Sequence, residues 1–358
     1  MERFSYFKIY ANIGLLMSVY RMEIYQVAII AFIWAFLISF SLLYFYIKLA
    51  WKKRILAEDV HKPAGSLVAN LGGIVLFSIP ILALPILLID TAYLAYDTYL
   101  ALVLSTLIGL IVGLMDDIRD LGLIKAGLVA FAGIPIVLLH IYLPRPYVPL
   151  IGRTRMTILY PLVILIFFSV FADACNMIDI FNGVLVGQAL AVLFPLLIMS
   201  LLFGGEISLI LVIIGLGYVL AFLFWNRYPA RVFHGNIGAY GLGSLLSAII
   251  ILSALEVRGV EFVAIIGFLP AIYNGFIYVF NTRFAPRAKV ARNKRAVLIS
   301  GEYLEANRDP DAAIDLTRLL TIKGKLTEKQ LIKIYYLMFL FSTLLAIITA
   351  ILIFFEII

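Results

Sequence analysis

Along the chain, long charge-free apolar runs alternate with short polar clusters. The runs are Ile24 to Ile47, Ser66 to Ile89, Thr98 to Met115, Ala126 to Leu143, Met156 to Ala172, Val184 to Phe203, Ile207 to Trp225, Ile237 to Leu255, Phe262 to Phe280 and Ile334 to Phe355. Each of the ten is 17 to 24 residues long, the length that crosses a bilayer as a helix. In lipid such a run must be helical, because every backbone donor and acceptor needs an internal partner. Pro80, Pro85, Pro135, Pro195 and Pro270 fall inside these runs and are expected to kink the helices rather than break them. Before the first run, the charge-free interval Ile9 to Tyr20 has only 12 residues and reads as an interfacial helix, with no small-residue cleavage site after it.

Composition agrees with this pattern. Of 358 residues, 64% are hydrophobic and 14% charged, and the mean hydropathy is +1.09. A soluble domain of that make-up would lack the polar surface to cover itself, so the fold class is an all-α integral membrane protein of about ten transmembrane helices. Its expected divisions are an interfacial segment 1–23, a nine-helix bundle 24–280, a basic loop 281–333 and a tenth helix 334–358. The single cysteine, Cys175, forms no intrachain disulfide and does not decide the redox compartment.

Charge orients the chain. With ten spans, the connections after the odd-numbered ones hold 21 of the 28 Lys and Arg residues, 12 of them between Arg283 and Lys333. The positive-inside rule places that face in the cytosol and both termini outside. The net charge of +7 is then accounted for by anionic headgroups or an anionic substrate, with no nucleic-acid partner.

The same parity gathers the polar clusters at the cytosolic ends of odd spans. GLMDDIRDLGLIK carries Asp116, Asp117, Asp120 and Lys125; DACNMIDIFNG carries Asp173, Asn176, Asp179 and Asn182. NRYPARVFHGNIGAYGLG carries Arg231, His234 and Asn236, and the loop NTRFAPRAKVARNKR carries Arg287, Lys289 and Arg292. Carboxylates, amide oxygens and cations near one interface suit a divalent cation holding a diphosphate. Each cluster alone also has a bland reading, as a solvated helix end, as interhelical polar contacts or as a basic loop against the leaflet; their convergence favours a site.

At these residues the chain resembles the polyprenyl-phosphate N-acetylhexosamine-1-phosphate transferases, ten-helix membrane enzymes that pass a sugar-1-phosphate from a UDP-sugar to a lipid phosphate and release UMP. GLMDDIRDLGLIKAG is similar to the family's aspartate-pair loop and NMIDIFNGVLVGQ to its Asn-Gly segment. NRYPARVFHGN and FAPRAKVARNK resemble the eukaryotic and archaeal branch, which makes GlcNAc-diphospho-dolichol at the start of lipid-linked oligosaccharide synthesis. The resemblance implies UDP-GlcNAc and a polyprenyl or dolichyl phosphate as substrates, Mg2+ or Mn2+ as cofactor and a cytosolic site. The membrane would be the archaeal plasma membrane, or the endoplasmic reticulum if the chain is eukaryotic; a homodimer is compatible.

Carried over residue by residue, Asn176 and Asn236 would hold the metal. Asp116, Asp117 and Asp179 would orient the metal, its waters or the acceptor; Lys125, Arg287, Lys289 and Arg292 would face phosphate, and Asn182 the uridine. The attacking lipid phosphate is largely ionised at pH 7, its second pKa being about 6 if it behaves like a phosphorylated side chain, so a general base is not required and Asp116 as base is an option. One residue departs from the family: Asn236 stands where an aspartate is usual. A branch that natively uses Asn, compensation by Asp179, or an inactivating substitution each accounts for it. Two other classes compete. DDIRD has the Asp-Asp-x-x-Asp spacing of a prenyltransferase, although no second aspartate-rich repeat follows, and a secondary transporter would want binding groups nearer mid-bilayer and a repeated topology.

Overall fold

The computed structural model describes residues 23–62, 66–89, 92–122, 124–148, 150–281 and 295–357. Apart from Glu23, the expected interfacial segment 1–23 lies outside them, as do Arg287, Lys289 and Arg292 of the basic loop. The helices, numbered here in chain order, are α1 (Ile24–Lys53), α2 (Ile79–Leu82), α3 (Ala92–Ile118), α4 (Ile124–Ala130), α5 (Ile134–Leu138), α6 (Tyr160–Ile178) and α7 (Val184–Phe203). They continue as α8 (Glu206–Asn226), α9 (Gly235–Ser253), α10 (Val260–Gly267), α11 (Leu269–Val279), α12 (Leu316–Thr321) and α13 (Glu328–Phe354). Among the described residues seven helices are long and apolar enough to cross a membrane, and the bent pair α10 and α11 makes an eighth span. The protein is an integral, multi-pass membrane protein.

The two other apolar runs are broken helices, for a physical reason. Between Gly72 and Leu88 the chain forms a 3-10 turn, the short α2 and a second 3-10 turn, with Pro80 and Pro85 at helix starts. A 3-10 residue rises ~2.0 Å against ~1.5 Å in an α-helix, so if straight this stretch still reaches about 30 Å, a hydrocarbon core's thickness. The second runs from α4 to α5, with Pro135 opening α5. Prolines 80, 85, 135 and 270 thus begin new helical pieces, and Pro195 sits inside an unbroken α7.

At the 66° bend between α10 and α11, Pro270 offers no N–H to the carbonyl of Ile266. The Ser342 hydroxyl of α13 donates to that carbonyl, and Gln188 of α7 donates to Gly267 O at 2.8 Å. Neighbouring helices therefore restore what the proline removes, as lipid requires.

Helix α9 is the hub, with 89% of its apolar window buried; it packs on α3, α6, α8 and the Gly72 segment. Small residues make this possible: a Cβ on Gly109 would lie 2.1 Å from Ser244 Oγ, and one on Gly113 2.4 Å from Asn236 O. That is the close approach of a small-xxx-small helix pair. Helices α1 and α13 are peripheral, showing lipid such side chains as Ile29, Ile33, Phe341 and Leu344.

Gly113→Ala would push α3 off α9, because its Cβ would also sit 2.6 Å from Ile237 Cα. The expected loss is about 1–3 kcal/mol, read as a lower Tm in detergent. Gly127→Ala, with nothing within 4 Å of the added Cβ, is the control and should leave Tm unchanged or raised.

Among the described residues three small sheets sit outside the helices. Strands β1 (Leu56–Glu58) and β2 (Leu67–Ala69) form a hairpin, β3 (Tyr147–Val148) and β4 (Gly152–Arg153) another. Strands β5 (Val297–Ser300), β6 (Tyr303–Ala306) and β7 (Leu326–Thr327) form an antiparallel sheet in the expected basic loop. The sequence of this loop suggests a short strand at Ala296 to Ile299, where β5 falls, and a helix over DPDAAIDLTRLL capped by Asp309 with Pro310 at its first position, which does not start there. Asp309 instead accepts from Asp311 N, and α12 begins after Asp315, which accepts from Arg318 N at 2.7 Å. A Thr327 and Gln330 capping box starts α13 at Glu328, upstream of the expected Ile334.

Candidate active site

Backbone pairing first brings two distant segments together. Val232 bridges in parallel to Ala69, Phe233 N donates to Ala69 O (2.8 Å), and Gly72 N and Gly73 N donate to Phe233 O and His234 O (2.8 and 3.0 Å). The β1–β2 hairpin is thereby fixed beside the start of α9. Asn226, at the end of α8 and 2% exposed, accepts from Gly183 N (3.0 Å) and donates to Val232 O (2.7 Å). One buried amide thus joins the Asn182-Gly183 turn to the Val232-Phe233 segment.

These connections surround a cavity of ≈ 280 Å3 at one end of the bundle. Asp117, Asn176, Asp179, Asn182 and Asn236 line it, so five of the sequence-predicted residues, drawn from three segments, share one space. Asp116 and Lys125 are not among its lining residues. The structure also adds Glu58, Asp59, His61, Asn70, Asn226 and Phe233 to the wall. The signal for the hairpin was the polar run Glu58-Asp59-Val60-His61-Lys62 between two apolar runs, where only the basic residue entered the charge count.

The two aspartates of the pair part company. Asp117 accepts from Asn236 N (3.0 Å) and Ile237 N (2.7 Å), so it caps the first turn of α9 from another helix. Asp116 is buried, paired with Lys125 Nζ at 2.9 Å and accepting from Leu121 N at 2.9 Å. Asp120 accepts from Gly122 N in its own turn (2.8 Å). DDIRD therefore does not turn three carboxylates to one metal, which removes the structural basis of the prenyltransferase alternative.

Lys125 serves Asp116 in this structure. Lys125→Met would leave that buried carboxylate without a counter-ion, and stability should fall by about 3 kcal/mol. Adding Asp116→Asn should recover much of the loss, a recovery that thermal unfolding in detergent would measure.

The remaining groups are held as firmly. Asp173 accepts from Tyr240 OH at 2.7 Å, which fixes α6 to α9 near Asn176. His234 is fully buried, stacked on Phe222 with ring centroids 3.8 Å apart, and its Nδ1 lies 3.6 Å from Asp179 Oδ2. Asn182 Nδ2 donates to Asp59 Oδ2 at 3.3 Å. Burial lowers the pKa of His61 to about 4 against the opposing pull of Asp59, so its imidazole is neutral at pH 7. Arg231 is exposed, over the Trp225 ring at 5.5 Å. The donor set suits a hard cation, since Asn176, Asn236 and Asp179 bring side-chain oxygens to one space while both oxygens of Asp117 already accept backbone N–H groups.

Fold and site define a multi-pass membrane protein with an amide- and carboxylate-lined polar cavity at one end of its bundle. Residues 99–254, which include α9 and both halves of the Asp117 contact, match the model of glycosyl transferase family 4. Over that stretch, less than half of its length, the chain is similar to this family. It is 29% identical over 219 residues to a Saccharolobus solfataricus protein, covering 60% of this chain and 68% of that one. A Sulfolobus acidocaldarius protein is 33% identical over 161 residues, covering 43% and 48%. Both carry the provisional name UDP-N-acetylglucosamine–dolichyl-phosphate N-acetylglucosaminephosphotransferase. A phospho-N-acetylmuramoyl-pentapeptide-transferase of Dictyoglomus turgidum is 29% identical over 161 residues, covering 43% and 52%. The last two alignments span about half of the relative's length.

Proposed function

We propose that the protein transfers N-acetylglucosamine-1-phosphate from UDP-GlcNAc to a polyprenyl phosphate of dolichyl type, releasing UMP. The observation that carries this reading is the cavity itself, where amides and carboxylates from separate membrane segments meet within the matched family. The two archaeal relatives' names favour UDP-GlcNAc and dolichyl phosphate over other sugars and acceptors.

In the reaction an oxygen of the lipid phosphate attacks the sugar-bound phosphorus. The new P–O bond forms as the bond to the UMP oxygen breaks, and UMP leaves with the electron pair. Asn176, Asn236 and Asp179 would hold Mg2+, which when bound neutralises diphosphate charge. Asp117 fixes the first turn of α9 and with it the backbone that carries Asn236. The acceptor needs no base, being ionised at neutral pH. Arg287, Lys289 and Arg292, outside the described residues, are the cations proposed to face phosphate, and Asn182 the proposed uridine contact.

The cavity is proposed to face the cytosol, supported by the 21 of 28 basic residues on that set of connections; the membrane is the plasma membrane of an archaeon. Purified protein given UDP-GlcNAc, a polyprenyl phosphate and Mg2+ should release UMP in step with lipid-linked GlcNAc. No UMP from folded protein across a panel of polyprenyl phosphates would overturn the reading.

A further inference from the structure

Beside the amide-lined part of the cavity lies a second donor cluster. A carboxylate oxygen of Asp59, a ring nitrogen of His61 and a carboxylate oxygen of Glu328 all lie within 4.8 Å of one another. Asp59 and His61 come from the β1–β2 hairpin, Glu328 from the first turn of α13. Glu328 is 4% exposed and Asp59 3%. Among the described residues neither oxygen of Glu328 has a hydrogen-bond partner of good geometry, although the Asn182 amide and Lys62 are near enough to act on its charge. A buried carboxylate left this way is costly unless something positive meets it.

Lys62 does not meet that need alone. Its ammonium pairs with Asp59 Oδ2, which also receives Asn182 Nδ2 at 3.3 Å. Among the described residues Asp59 Oδ1 accepts from the His61 amide, at a long 3.4 Å. Asp59 and Glu328 thus bring two carboxyl groups to one buried place beside the His61 ring.

We propose that Asp59, His61 and Glu328 bind a first-row divalent cation of the Zn2+ class, clipping the β1–β2 hairpin to the start of α13. One imidazole with two carboxylates is a nitrogen–oxygen set that such ions accept, whereas Mg2+ favours oxygen ligands and keeps its water. Three protein ligands leave a coordination position open, and Asp59 and His61 place it on the cavity wall. The residues are separate from the proposed Mg2+ amides Asn176 and Asn236. The site stands independently of the transferase reading, because its test reads metal and not turnover.

Tag-free full-length protein in detergent, stripped with chelator, would be titrated with Zn2+ in millimolar Mg2+, with bound metal counted by elemental analysis. About one equivalent should bind and raise the Tm. His61→Ala and Glu328→Gln should each weaken binding at least about tenfold, and Asn176→Ala should leave it unchanged. Asp59→Asn, which keeps the side chain's shape, provides a third ligand variant should His61→Ala fail to fold. Absence of stoichiometric Zn2+, binding that survives the folded ligand variants, or equal loss in Asn176→Ala would each overturn the site.

Discussion

Asp117→Asn should cut UMP release on the order of 100-fold while leaving a folded, monodisperse protein in detergent. The carboxylate accepts from both Asn236 N and Ile237 N. An amide can accept only one of these and must turn its NH2 toward the other, placing donor against donor. The first turn of α9 then shifts, and Asn236 with it. Displacements of about 1 Å in a catalytic group cost ~100-fold. Asp117→Glu keeps the charge but lengthens the side chain, and should restore part of the stability and little of the rate. A rate near wild type for Asp117→Asn would show that the α9 cap does not position the reacting groups.

Asn236 should give opposite results with two substitutions. Asn236→Ala removes a proposed Mg2+ oxygen, and activity at saturating Mg2+ should fall on the order of 100-fold. Asn236→Asp keeps the oxygen and adds charge, so the Mg2+ concentration for half-maximal activity should drop by about tenfold, ligand charge being a main control of affinity for hard cations. Titrating UMP release against Mg2+ separates the outcomes. Indifference of both variants to Mg2+ would remove Asn236 from the metal site. Activity in the unaltered protein would also settle the Asn236 departure, since it would show that an amide suffices there.

Much of the fold was legible because lipid is an exacting solvent. The long apolar runs around α1, α3, α6, α7, α8, α9 and α13 had to be helices, and the structure has them. The runs at Gly72–Leu88 and Ile124–Leu138 were legible as apolar passages but not as broken helices. A proline's effect depends on whether a neighbour can take over the carbonyl it frees. At Pro270 a serine 72 residues away in sequence does so, which no local pattern announces.

The site was legible at the level of segments. Asn176, Asp179, Asn182, Asn236 and Asp117 were chosen for their chemistry and meet in one cavity, yet Asp116 and Lys125, chosen for the same reason, bind each other outside its lining. The hairpin residues Asp59 and His61 and the first-turn Glu328 were passed over because they lie far apart in sequence and belong to no single cluster.

By itself, then, the sequence determined a polytopic membrane protein with phosphate- and metal-type groups at helix ends, because the bilayer's demand for apolar, self-satisfied helices leaves few places for such groups. Only the tertiary structure decided what each group does. The close glycine crossing of α3 on α9 brings Asp117 within reach of two backbone N–H groups and leaves Asp116 to Lys125. Which partner a side chain takes is set by separations of a few ångströms between helices, and those are fixed by packing across the whole bundle.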